Sequence, residues 1–149
     1  MPVLACSLAL AGCGGGERSS PPSSAPEPPR PAAPALTREQ VEECLNQHGA
    51  ETREFNVPAL RPEHDLVQRR GGSAFASEIS LRRSGAAIAF FVYPSAAEAR
   101  AGATRVRGII ERYGDVGQRG TVLVGGNVVG ATFLDVPPAA QRDIRRCTS

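Results

Sequence analysis

Few side chains in this 149-residue sequence combine type and spacing in a way that could do chemistry. His64 is followed by Asp65, and a carboxylate can orient an imidazole as a general base or a metal ligand. Zinc needs three or four ligands at short paired spacings. The only other histidine is His48, and no motif supplies a third ligand, so no metal is assigned. Gly71-Gly72-Ser73-Ala74-Phe75 begins like a nucleophile elbow, but Phe75 stands where the last glycine is required. Gly125-Gly126-Asn127-Val128-Val129-Gly130 is glycine-rich without the Gly-Lys-Ser/Thr that makes a phosphate-binding loop. Arg69-Arg70 and Arg82-Arg83 are two basic pairs. Brought together at one end of a hairpin, they would form an anion-binding patch for a wall polymer or lipid head groups. No catalytic residue and no cofactor follows from these motifs, and the expectation is a protein that is not an enzyme.

Composition narrows the partners. The formal charge is +2, too small for a nucleic-acid surface, and all 17 basic residues are arginine. With no tryptophan, five phenylalanines and two tyrosines, the core must be mainly aliphatic.

The elements that could position these groups begin only after an unusual N-terminal stretch. Val3–Ala11 is apolar but too short for the ~20 residues that span a bilayer. Its length suits the hydrophobic region of a secretory signal. The basic region that normally precedes it is missing, so the true start is expected upstream of Met1. Leu10-Ala11-Gly12-Cys13 closes the segment and resembles the lipobox of bacterial lipoproteins. That resemblance implies cleavage before Cys13, a diacylglyceryl thioether on Cys13, and acylation of the new N-terminus. Two or more acyl chains anchor stably where one is marginal. Residues 1–12 would then be the signal, and 13–35 the lipidated cysteine with its linker. Seven of the residues from Gly14 to Ala35 are proline. Such a segment is expected to be extended, reaching up to roughly 70 Å.

Residues 36–149 carry the periodicity of one α+β domain. Thr37-Arg38-Glu39-Gln40 forms a capping box, with Leu36 and Val41 placed as a hydrophobic staple. A helix follows over about 37–48, and Gly49 stops it. Residues 50–72, broken by Pro58 and Pro62, read as a surface loop with a short strand near Phe55–Val57. Phe75–Leu81 alternates as a half-buried strand. Arg83-Ser84-Gly85 reads as a turn, and Ala86–Tyr93 as a central strand covered on both faces. Ser95-Ala96-Ala97-Glu98 is a second capping box. It opens a helix whose stripe is Ala99, Ala103, Val106, Ile110 and Tyr113, closed by Gly114. Thr121–Val124 and Val128–Leu134 make a hairpin around Gly125-Gly126-Asn127. Asp135 is expected to cap a last helix carrying Ala140, Ile144 and Cys147. The predicted order is α-ββ-α-ββ-α: a four-stranded, mostly antiparallel sheet with packed helices, as a permuted ferredoxin-like fold would give. That analogy is topological and carries no function.

If Cys6 leaves with the signal and Cys13 is lipidated, Cys44 and Cys147 remain, each on the apolar stripe of a terminal helix. Outside the cytoplasm they are expected to form a disulfide. The reading is a lipoprotein held to the extracytoplasmic face of a bacterial membrane by the lipid on Cys13. Its domain would act without catalysis, binding an envelope protein or polymer and no nucleic acid. The alternative is a small extracytoplasmic hydrolase or metal-binding protein that uses the 50–72 loop.

Overall fold

The structure, a computed structural model, describes residues 34–81, 84–113 and 120–149. The signal, Cys6, Cys13, most of the linker, Arg82, Arg83 and Gly114 lie outside the described residues.

The first helix, α1, is Arg38–Gln47. It starts where local chemistry says it should. The Thr37 side chain accepts from the Gln40 backbone N–H, and the Gln40 side chain accepts from the Thr37 N–H at 2.9 Å. Gly49, at φ +80°, ends the turn in a conformation that side chains avoid. Val41 and Leu45 are the buried face.

The segment expected to be a loop is mostly ordered structure, and this is the main correction to the predicted order. Ala50–Arg53 is an edge strand, β1, and Arg61–Arg69 is a helix, α2, preceded by a 3₁₀ turn at Pro58–Leu60. The expected strand near Phe55–Val57 is absent, and the strand lies just before it. Proline breaks a helix interior, but in the first turn its missing N–H costs nothing and its fixed φ suits the helix. Pro58 and Pro62 therefore start their elements. Strand β1 buries only Ala50, so it left little hydrophobic pattern to read. Its edge is charged, and Glu51 stands directly opposite Glu78 of the next strand. Arg53 lies between the two carboxylates, 3.4 Å from Glu51 and 3.0 Å from Glu78.

Strands β2 (Ser73–Leu81) and β3 (Ser84–Val92) form a long hairpin. Ser84 and Gly85, expected in the turn, instead pair with Leu81 and Ser80. Helix α3 (Ala96–Glu111) follows. Ser95 accepts from the Glu98 N–H, and its hydroxyl donates to the Glu98 carboxylate. Ala99, Ala103, Val106 and Ile110 are buried, whereas Tyr113 lies past the helix end, about half exposed, edge-on to Phe133. Strands β4 (Thr121–Gly125) and β5 (Val128–Thr132) join through Gly126 and Asn127, with Gly126 at φ +49°. The last helix, α4, is Pro138–Thr148. Its N-cap is Pro137, not Asp135, and Pro138 begins the first turn.

The sheet is five-stranded, in the order β1-β2-β3-β5-β4, with every neighbouring pair antiparallel. Relative to the predicted order, the chain adds strand β1 and helix α2. Strand β3 is central, as its unbroken apolar run implied. Ile88, Phe90 and Val92 share a core with Val41 and Leu45 of α1 and Ile144 of α4. Ala89, Phe91 and Tyr93 share another with Val67 of α2 and Val106 of α3. Helices thus cover both faces of the sheet. Cys44 and Cys147 form a disulfide between α1 and α4, their Cα atoms 5.5 Å apart. The bond closes a loop of 103 residues in sequence, for which the chain-entropy model gives about 4.7 kcal/mol as an upper-end value.

Candidate functional site

Helix α2 presents two chemically different faces from adjacent residues. His64 stacks on Phe55, ring centroids 4.7 Å apart, beside a cleft of about 300 Å³ that Arg38 and Arg61 also line. The pairing that the sequence singled out is present: His64 Nδ1 lies 2.8 Å from Asp65 Oδ1. On the other side of the ring, Nε2 is 3.1 Å from the Gln68 amide nitrogen. These contacts suit a ring that accepts from the Gln68 amide at Nε2 and donates to Asp65 at Nδ1. Both ring nitrogens are thereby engaged. The hydrogen bond from His64, and then the Arg61 guanidinium at 3.6 Å, hold the Asp65 carboxyl below the usual carboxylate range. The described lining of this cleft carries no hydroxyl or thiol, so nothing in it places a nucleophile beside the imidazole.

The neighbouring residue faces inward. Glu63 is 2% exposed, and its carboxylate meets the side chain of Arg105 of α3 in a fork. Arg105 Nη2 donates to Oε1 at 2.7 Å and Nε donates to Oε2 at 2.9 Å. The Tyr93 hydroxyl, at the end of β3, donates to Oε1 at 2.9 Å. Burial is the first reason that the Tyr93 hydroxyl is pushed far above the ordinary tyrosine value, and the Glu63 charge adds to it. The hydrogen bonds to Glu63 raise Arg105 further above its already high value. Tyr93 fits because residue 102 of α3 is glycine: a Cβ there would collide with the Tyr93 hydroxyl oxygen. Every group of this cluster has a partner, which is the condition for keeping a charge buried. Its chemistry is structural, tying α2, α3 and β3 together.

A third cluster sits where the chain arriving from the linker joins the domain. Asn127 is buried in the β4–β5 turn. Its Nδ2 donates to the carbonyls of Leu36, at 2.9 Å, and Tyr93, at 2.7 Å, and its Oδ1 accepts from the Leu36 N–H at 2.8 Å. Leu36 is thus held by both backbone groups as if by a neighbouring strand. An open cleft of about 370 Å³ adjoins this clamp, between the start of α1 and the Gly71-Gly72 turn.

Of the arginines predicted to make an anion patch, Arg69 and Arg70 stand at the end of α2, and Arg70 pairs with Glu98 at 3.3 Å. The other pair, Arg82 and Arg83, lies outside the described residues.

Sequence reasoning missed Glu63, Tyr93, Arg105 and Asn127. A signal existed for Glu63. Once 61–69 is read as a helix, Leu60, Glu63 and Val67 fall on one stripe, and a charge on an apolar stripe demands a partner. Comparison with protein-family models, with curated proteins and with solved structures finds no match for this chain.

Proposed function

We propose that this chain is a lipid-anchored extracytoplasmic lipoprotein whose α+β domain works as a binding or structural module without catalysis. The lipobox-like Leu10-Ala11-Gly12-Cys13 and the proline-rich linker support the anchor. The structural observation that carries the reading is the Cys44–Cys147 bridge. Bonds of this kind persist in oxidising compartments and are rare in the cytosol. The bridge joins the first and last helices of the domain, so the fold is closed by a bond suited to that compartment.

The binding reading is favoured over the hydrolase or metal-binding alternative by the state of His64. Its Nε2, the nitrogen that would act on a substrate or hold a metal, is taken by the Gln68 amide, and the described lining of the adjoining cleft carries no hydroxyl or thiol. The occupant would be an envelope protein or polymer, and the membrane is reached through the lipid on Cys13.

The experiment is the intact mass of the membrane-extracted protein under non-reducing conditions, expressed with its upstream coding region in a host that processes lipoproteins. Cys13→Ala is the control. The expected mass lacks everything before Cys13, carries a diacylglyceryl or triacyl adduct, and is two hydrogens short of the free dithiol. An unmodified chain with free thiols overturns the proposal.

A further inference from the structure

The helix junction that holds the disulfide holds more than two sulfurs. Cys44 and His48 are one turn apart on α1, and Asp143 and Cys147 are one turn apart on α4. Residues spaced four apart on a helix share a face, so each helix turns a sulfur and a second donor towards the other. The ligand atoms of Cys44, His48 and Cys147 lie within 4.8 Å of one another, and among the described residues this is the one group of three or more His, Cys, Asp or Glu so disposed. Asp143 Oδ1 is 3.9 Å from His48 Nδ1. Bond lengths of about 2.3 Å to sulfur and 2.0–2.1 Å to nitrogen or oxygen give a tetrahedral zinc site edges of about 3.3–3.8 Å. The donor atoms of Cys44, His48 and Cys147 stand at most about an ångström beyond such an edge. The two sulfurs must part once their bond is broken, and Asp143 must turn in from outside that group.

We propose that Cys44, His48, Asp143 and Cys147 form a redox-gated site that binds one zinc(II)-class cation when the bridge is reduced. Two thiolates, an imidazole and a carboxylate are a donor set for zinc rather than for magnesium or calcium. His48 and Asp143 are each more than a third exposed, which gives the ion a path in. A dithiol reductant breaks the S–S bond through a mixed disulfide, is itself oxidised to a disulfide, and leaves two thiols. The cation then takes both sulfurs as thiolates and releases two protons. Oxidation reverses this. A disulfide oxidant takes the two electrons by exchange through a mixed disulfide and leaves as a dithiol with two protons from water, the Cys44–Cys147 bond re-forms, and the ion is released. In either state α1 stays tied to α4, once by a covalent bond and once by a metal. This site does not depend on the anchor at Cys13.

The test uses the full chain carrying Cys6→Ala and Cys13→Ala, so that Cys44 and Cys147 are its only thiols. The reductant is a phosphine, which takes oxygen from water as it opens the bridge, and the probe is cobalt(II). Reduced protein is expected to bind one cobalt per chain, with thiolate-to-cobalt charge-transfer absorption and tetrahedral ligand-field bands, and zinc should displace it. Oxidised protein should show neither feature. His48→Ala and Asp143→Asn should each weaken binding by at least about tenfold, since even groups behind the ligands are worth that much. Circular dichroism is followed in the same cell. Should the reduced chain unfold, cobalt must restore the helix signal together with the charge-transfer band. Absence of a thiolate–cobalt band overturns the proposal. So does binding that ignores His48 and Asp143, or binding by a chain that stays unfolded.

Discussion

Arg105 closes on Glu63 from outside, its side chain 37% exposed while the side chain it grips is 3% exposed. The pair is asymmetric: one charge is solvated, and the other depends on the protein for every hydrogen bond it makes.

Removing the solvated partner is therefore expected to be expensive, because it strands the buried one. Arg105→Met should lower stability by about 3 kcal/mol, the lower end of the range for breaking a buried pair, since water can reach part of the vacated place. Glu63→Met should also destabilise. The double variant should cost less than the sum of the two by about 0.5–3 kcal/mol. Urea unfolding of the three variants and the parent measures this. Simple additivity would mean that the fork contributes nothing beyond its separate side chains.

Tyr93 makes stability depend on alkaline pH. Its folded-state value is raised, so at pH below the ordinary tyrosine value of about 10 the folded and unfolded chains are both protonated there and the contribution is complete. Above that point the unfolded chain ionises and the folded chain does not. Stability should then fall by about 1.4 kcal/mol per pH unit from this group. With Tyr113→Phe, Tyr93 is the only tyrosine, and its phenolate absorbance should appear together with loss of the helix signal. Phenolate formation in a chain that keeps its circular dichroism would contradict the buried hydrogen bond to Glu63.

Two glycines of α3 should respond to the same substitution with opposite sign. Nothing lies within 4 Å of where a Cβ would stand at Gly108, so Gly108→Ala should stabilise by up to about 1 kcal/mol through helix propensity. At Gly102 the added methyl would strike the Tyr93 ring and hydroxyl, which are locked by Glu63. Overpacking of that kind costs about 1–3 kcal/mol, enough to outweigh the propensity gain. Thermal unfolding of both variants decides it. A stabilised Gly102→Ala would show that Tyr93 can move without loss.

The elements legible in the sequence were those with strong local signals. Thr37 and Gln40 announce α1, Ser95 and the stripe from Ala99 to Ile110 announce α3, and Gly126-Asn127 announces the β4–β5 hairpin. Each signal lies within a few residues of the structure it specifies, as capping, periodicity and turn conformation all do. The pairing of Cys44 with Cys147 was also within reach, since two terminal helices each offered one cysteine on a buried stripe. Strand β1 and helix α2 were not legible. Ala50–Arg53 has one buried residue and is a strand because β2 offers it an edge. Pro62 means a helix start or a helix break depending on what surrounds it.

The clusters were decided by tertiary structure alone. Glu63 meets Arg105 across 42 residues, and Asn127 meets Leu36 across 91. In the sequence Glu63 is an ordinary charge beside a proline, and Asn127 an ordinary turn residue. Only the packing of α2 against α3 and β3 takes water away from Glu63 and makes a partner obligatory. Local sequence can specify a backbone conformation, because that is a property of neighbouring residues. Burial is a property of the whole fold, and with it come the costs that turn a surface charge into a structural pair.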